Sequence, residues 1–396
     1  MSYADRWLLP DGVDEILPAA AEQIESLRRQ LVDLYHRWGY DLVIPPMIEY
    51  TDSLLVGLGS DIDLLTFRLT DQLSGRMMGL RADMTPQIAR MDAHSFRREG
   101  ISRLCYTGHV IHAKPKNPLA SRTPIQAGIE LYGEAGIEAD IEVVSLLLES
   151  LQTAGLPSLN IDLGHVGIFR ALSESVSFST EQERQLFDLL QQKSTKDIDA
   201  WVEANVTDTE SAKWFFALAG LAGDASVLQR ARDVFDQAPA EVIAAIDELE
   251  VMASVISQRY PQAKLYFDLS ELRGYHYHTG VVFAAFSPGH GEAIANGGRY
   301  DHIGEVFGHA RPATGFSIAL TTLHQLLSVE YQPKPAIFAA STEDPKQWLA
   351  IQALRSQGER VVCGLADQAL VISESLCDRQ LVLEEGEYCV KPLNKN

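Results

Sequence analysis

The stretch Leu272-Arg273-Gly274-Tyr275-His276-Tyr277-His278-Thr279-Gly280 sets one cation, two imidazoles and two phenols side by side, ahead of a predicted strand. Rings bearing N–H and O–H groups are expensive to bury without partners, so the cluster reads either as an aromatic strand with alternating faces or as the wall of a polar pocket. Asn296-Gly297-Gly298-Arg299-Tyr300-Asp301 places paired glycines beside an arginine after a strand; such a pair lets the backbone approach a ligand closely, and also makes simple turns. In Leu80-Arg81-Ala82-Asp83-Met84-Thr85-Pro86-Gln87 a carboxylate and a hydroxyl fall between a strand end and a helix start, where capping alone accounts for either. Strand alternation across residues 126–133 puts Gln126, Gly128, Glu130 and Tyr132 on one face and apolar Ala127, Ile129 and Leu131 on the other. His109 with His112, and His276 with His278, are the histidine pairs that could approach a metal. No carboxylate or thiolate lies at ligand spacing beside them, so no metal site is expected.

The elements that must position these residues are legible from periodicity. Ile24, Leu27, Leu31, Leu34, Tyr35 and Trp38 recur at helical steps after Pro18, and residues 40–48 read as a strand whose Pro45 and Pro46 suit an edge or a strand end. Residues 64–69 and 76–81 form a predicted hairpin around Asp71-Gln72-Leu73-Ser74-Gly75. Residues 85–98 read as a helix, and 103–112 and 126–133 as long strands around a polar loop that carries Lys114, Lys116 and Arg122. A helix over 141–151 and a strand over 159–163 follow. From about 166 to 260 helix formers take over, with caps such as Ser179-Thr180 before Glu181 and Thr207-Asp208 before Glu210 and no strand pattern, which reads as a helical insertion. Strands resume at 264–269, 281–286 and 292–295, and a helix over 319–327 closes the region. Gln332-Pro333-Lys334-Pro335 is a stiff linker, dividing a domain over 1–330 from a small α/β appendage over 331–396.

Composition narrows the possibilities. The 396 residues suit two to three domains at about 150 residues each, and 46% hydrophobic with 22% charged residues is ordinary for a globular chain. A net charge of -21 repels polyanions, so no nucleic-acid partner is expected. No apolar run approaches the roughly 18 residues that span a bilayer, which speaks against a membrane partner. Met1-Ser2-Tyr3-Ala4-Asp5-Arg6 lacks the pattern of a secretory signal, which makes the cytosol the expected compartment. Cys105, Cys363, Cys377 and Cys389 have no metal or redox spacing and read as buried thiols.

Taken together, the polar stretches resemble the class II aminoacyl-tRNA synthetase fold, and specifically histidyl-tRNA synthetase, across roughly residues 1–327. Arg81-Ala82-Asp83-Met84-Thr85 resembles that family's R-P-E-G-T, residues 126–130 resemble its H-Q-x-G-x-E strand, and residues 273–280 resemble R-G-x-x-Y-Y-T-G. Its G-G-R-Y-D stands unchanged at Gly297 to Asp301. The resemblance implies an α+β fold: an antiparallel sheet flanked by helices, with a helical insertion and the small C-terminal appendage. It also implies a histidine pocket made by Asp83, Thr85, Gln126, Glu130, Arg273, Tyr277 and His278. Acceptors there would suit the ammonium, Arg273 the carboxylate, and the two imidazole edges an acceptor and a donor.

The departures from that family point to a different use. Where synthetases carry F-R-x-E, with arginine on the α-phosphate of ATP, this chain has Ile111-His112-Ala113-Lys114. Where a second ATP arginine is expected after residues 315–320, it has Thr321-Thr322. Losing one positioned donor to developing phosphate charge typically costs on the order of a hundredfold to a thousandfold in rate, so little adenylation is expected. No anticodon-binding domain is recognisable at the C-terminus. A synthetase-like pocket stripped of ATP chemistry resembles the family of ATP phosphoribosyltransferase regulatory subunits. That resemblance implies a non-catalytic chain, without cofactor, partnered with a short-form catalytic subunit in a hetero-octamer and answering to histidine in the first step of histidine biosynthesis. No phosphoribosyl-binding loop of apolar strand, paired acids and small hydroxyl residues is found in the sequence. The alternatives are a residual histidine-activating ligase and a histidine sensor for another partner.

Overall fold

The computed structural model of the chain describes residues 8–55, 60–115, 120–156, 158–275, 277–327, 335–365 and 377–393. Lys116, Pro118, His276 and most of the predicted linker lie outside them. Helix α1 (Pro18–Arg37) opens on Pro18, whose missing N–H is no loss in a first turn, and buries Ile24, Leu27, Leu31, Leu34 and Tyr35 as one stripe. The chain continues through β1 (Asp41–Leu42), β2 (Ile48–Tyr50), α2 (Thr51–Leu54), α3 (Ser60–Leu65), β3 (Phe67–Thr70) and β4 (Met77–Leu80). The strand expected over 40–48 is therefore interrupted. Pro45 and Pro46 have no N–H to give a ladder, so pairing stops at Leu42 and resumes at Ile48 in a different sheet. The expected hairpin is β3 with β4, and Asp71 stiffens its turn by accepting from the Leu73 N–H at 3.0 Å and from Ser74 Oγ at 2.6 Å.

Helix α4 (Thr85–Arg90) passes into one π-helical stretch, Met91–Phe96, and stops where Arg97 turns left-handed at φ 46°, short of the predicted end at 98. Then come β5 (Ser102–His109), β6 (Ile125–Tyr132), α5 (Ile137–Thr153) and β7 (Leu159–His165). The helical stretch holds α6 (Val166–Val176), α7 (Thr180–Gln191), α8 (Thr195–Asn205), α9 (Thr209–Leu218), β8 (Ala222–Gly223), α10 (Ser226–Val234) and α11 (Ala240–Arg259). Ser179 and Gln182 form a reciprocal capping box on α7, and Asp208 caps α9 by accepting from the Ser211 N–H at 2.8 Å. Strand β8 was not expected; two residues are too few to show alternation, and β8 exists because β9 offers it an edge.

The chain returns to the sheet with β9 (Ala263–Asp268), β10 (Val281–Phe286), β11 (Ala295–Arg299) and β12 (Ala313–Ala319), then α12 (Leu320–Leu326). Strand β11 begins at Ala295, where the predicted strand ended. The glycine pair thus lies inside the sheet, bonded to β10 and β12, and not in a turn after it. Strand β12 itself carried no prediction. The large sheet has the order β1-β5-β6-β12-β11-β10-β7-β9-β8 and is antiparallel except at its β1/β5 and β7/β9 pairs, an α+β arrangement. One face packs on α1, α5, α6 and α11. The other carries a smaller cluster that includes Met84, Tyr106, Tyr132 and Tyr300.

The chain divides into two units, Met1–Ser328 and Val329–Asn396. In the second, β13 (Ala336–Ala339), α13 (Pro345–Ser356), β14 (Val361–Cys363), β15 (Cys377–Glu384) and β16 (Glu387–Pro392) build a sheet of order β14-β13-β15-β16. Its core is Ile337, Ala339, Ile351, Val361 and Leu381. Cys105 and Cys377 are buried thiols as expected. Cys363 and Cys389 are only half-buried, because both lie toward the outer strands of this small sheet.

Candidate functional site

Glu130 is a carboxylate on a sheet interior, 1% exposed. On β6 it stands opposite Gly315 of β12, which in turn stands opposite Gly298 of β11. Those two glycines make a trough beside it: a Cβ at Gly315 would collide with the Glu130 carboxylate, and one at Gly298 would come within 2.8 Å of the His278 ring. Tyr106 Oη donates to Glu130 Oε1 at 3.0 Å and Tyr300 Oη donates to Oε2. Burial pushes the Glu130 carboxyl up to about 8 against the pull of these donors, and the charge of Asp83 adds to the rise.

A cavity of about 490 Å³ opens over this trough, and Asp83, Thr85, Glu130, Tyr277 and His278 line it. Tyr277 lies on Tyr300 with ring centroids 5.0 Å apart and planes 23° apart, and its buried hydroxyl has no hydrogen-bond partner among the described residues. His278 Nδ1–H donates to the Arg273 carbonyl at 3.1 Å. Burial holds the ring neutral, pushed down to about 4, so Nε2 is left as an acceptor. Asp83 Oδ1 accepts from the Met84 N–H at 2.6 Å and the Thr85 N–H at 3.2 Å at the entry to α4. Thr85 Oγ1 is 3.4 Å from Tyr106 Oη. Helix α7 supplies a further wall with Arg184, Phe187 and Asp188.

Two of the seven predicted residues stand apart. Gln126 shares the face of Glu130 but lies four residues away, about 13 Å at strand rise, with a buried Oε1 that has no partner among the described residues. Arg273 does not line the large cavity. It borders a neighbouring one of about 90 Å³ with Asp162 and Glu271, donates from Nη1 to Asn296 Oδ1 at 2.7 Å, and is exposed. The two cavities share His278, Asn296 and Gly297 as their partition.

Tyr300 and Tyr106 orient Glu130, and the sequence reading passed over both. Tyr300 sat inside the unchanged G-G-R-Y-D, where the glycines and the arginine drew attention. In the fold, Arg299 faces away from the cavity, donating to Asp140 at 2.6 and 2.9 Å and to the Gly136 carbonyl at 3.1 Å, and so locks β11 onto α5. The aromatic stretch before β10 is a turn and not a strand. Gly274 at φ 67° bends it, and Arg170 holds its shape by donating to the carbonyls of Tyr275 and His278.

At the positions of the two synthetase arginines, His112 is 2% exposed with Nε2 3.1 Å from the Ala82 carbonyl and Thr322 lies on α12; Lys114, where a glutamate is expected, is exposed. Arg81 is spent on the carbonyls of His109 and Pro45. Among the described residues no three His, Cys, Asp or Glu side chains gather as a metal site, and no helix is long and apolar enough to cross a membrane.

Residues 12–323 match the family model of histidyl-tRNA synthetase, and residues 334–391 match that of the ATP phosphoribosyltransferase subunit HisZ C-terminal domain. A Cellvibrio japonicus protein named ATP phosphoribosyltransferase regulatory subunit is 61% identical over 393 residues, covering 99% of this chain and 98% of its own. A protein of the same name from Teredinibacter turnerae is 58% identical over 394 residues, covering 99% of this chain and 100% of its own. Among solved structures, an ATP phosphoribosyltransferase regulatory subunit/histidyl-tRNA synthetase from Bacillus halodurans superposes with a TM-score of 0.83 at 28% identity, over 95% of this chain and 97% of that one. Histidyl-tRNA synthetase from Nostoc shares the fold, with a TM-score of 0.79 at 18% identity over 98% of this chain and 97% of that one.

Proposed function

The chain belongs to the family of ATP phosphoribosyltransferase regulatory subunits, and we propose that it activates the short catalytic subunit of that enzyme and conveys feedback by histidine through the Glu130 cavity. The observation that carries the reading is a buried carboxylate, oriented by two tyrosine hydroxyls, on the floor of a cavity whose expected phosphate-binding cations are replaced. Histidine would set its imidazole between Glu130 and the unpartnered Tyr277 hydroxyl, and its ammonium against Asp83 and Thr85. The chain would then act in the cytosol, in a hetero-octamer with the catalytic subunit, and without an adenylating or phosphoribosyl-transferring site of its own.

His112, Lys114 and Thr322 leave no synthetase-like grip on ATP phosphates, which disfavours a residual ligase. Titration of this chain into a short ATP phosphoribosyltransferase, with and without histidine, tests the reading. Turnover should rise to a plateau with added chain and fall again with histidine. Unchanged turnover at saturation would remove the proposed role.

A further inference from the structure

Resting on the histidine site just proposed, we infer that the Glu130 cavity recognises an imidazole with a free ammonium and does not read the carboxylate, so that its ligand class includes histidine derivatives whose carboxyl group is neutralised.

The charges on the cavity wall carry the inference. Three carboxyl groups line it, Asp83, Glu130 and Asp188, against one cation among the described lining residues, Arg184. That cation is already committed: Arg184 Nη2 lies 2.8 Å from Glu181 Oε1, and Nη1 lies 3.5 Å from Asp188 Oδ2, both on α7. The cation expected for the carboxylate, Arg273, faces the neighbouring chamber. Its guanidinium is held there by Asn296 Oδ1 at 2.7 Å and by Glu271 at 3.5 Å, with the His278 ring in the partition between it and the Glu130 trough. A ligand carboxylate brought into this cavity therefore meets acid groups and loses water without gaining a paired cation, whereas an ammonium gains.

Space and polarity agree with the charges. The cavity is larger than a free amino acid needs, at about 490 Å³, and its lining includes Ile62, Phe187 and Tyr275. A neutral extension at the carboxyl end is thus met by apolar surface and not by a charge that requires its anion. The recognised pair is the imidazole at Glu130 and Tyr277 and the ammonium at Asp83, whose charge already acts on Glu130.

The test is binding of three probes to the full chain at neutral pH by calorimetry: L-histidine, L-histidinamide and N-acetyl-L-histidine. The expected result is that histidinamide binds within about tenfold of histidine, while N-acetylhistidine, which keeps the carboxylate and loses the ammonium, binds at least about a hundredfold more weakly. Histidine binding with histidinamide weaker by more than about tenfold would overturn the inference alone and mean that a cation, Arg273 foremost, turns in to take the carboxylate. No binding by either histidine or histidinamide would overturn the proposed effector site, and the inference with it.

Discussion

Tyr300 donates its hydroxyl to the Glu130 carboxylate from just past the end of a strand two places away in the sheet, while the same ring stacks on Tyr277 at 5.0 Å. One residue thus orients the floor of the cavity and supports its wall. The aromatic turn, the glycine-paired strand and the acid-bearing strand meet at this point, though each looked ambiguous alone in the sequence.

Glu130→Gln and Asp83→Asn should each weaken histidine inhibition of the reconstituted complex while leaving it assembled. Each removes a carboxyl group that a cationic group of the bound ligand would pair with, Glu130 ionising as the ligand binds; such a charge-assisted contact is worth roughly 1.5–3 kcal/mol, or about tenfold to a hundredfold in the midpoint. The measurement is the histidine dose curve, with assembly checked by size. Wild-type midpoints in both assembled variants would place histidine sensing elsewhere.

Activation of the catalytic subunit without histidine should survive those same substitutions. Activation and inhibition are separate equilibria of one complex, and only the second requires the ligand to favour one conformation. Turnover at saturating variant chain, compared with wild type, checks this; a parallel loss of activation would tie the cavity to the active state itself.

Stability should carry the mark of Glu130. Its carboxyl titrates at about 8 in the fold against an ordinary 4.5, so the folded state holds a proton that the unfolded state has lost between those values. The stability associated with the protonated group is fully present below pH 4.5 and declines as pH rises toward 8. Glu130→Gln removes that decline, so its unfolding free energy should gain on wild type from pH 5 to pH 8 by an amount on the order of a few kcal/mol, read by denaturant unfolding at each pH. Parallel wild-type and variant curves over that range would contradict the raised titration.

No histidine-dependent pyrophosphate exchange with ATP is expected, because His112 and Thr322 stand where arginines would meet phosphate. His112→Arg with Thr322→Arg should restore little. Lys114 still stands where a glutamate is expected, and a guanidinium at position 112 enters a site that is 2% exposed beside the Ala82 carbonyl. Exchange at a synthetase-like rate in either protein would show that the scaffold retains adenylation.

Gly315→Ala should remove histidine binding and lower stability by roughly 1–3 kcal/mol, since its Cβ would collide with the Glu130 carboxylate on the adjacent strand. Calorimetric binding and thermal melting read the two effects. A variant that binds normally would mean that Glu130 has another place to go.

Much of this protein follows from sequence because the deciding forces are local. The α1 stripe needs only apolar residues at three- and four-residue steps, and the Ser179–Gln182 cap needs only a serine three residues before a glutamine. The unchanged G-G-R-Y-D and the substitutions at His112, Lys114 and Thr322 were equally legible, and with them the family and the expected loss of ATP chemistry. What the tertiary structure decided is which side chains face each other across strands. Glu130 and Tyr300 are 170 positions apart and meet only because β12 lies between β6 and β11 in one register. A slip of one residue would turn either away from the cavity. The same sheet order sent Arg299 to Asp140 and left Gln126 down the strand, while the turn after Gly274 put Arg273 behind His278. Local sequence preference sets an element and its caps, but a shared face is fixed by strand order and register, which depend on contacts far apart in the chain.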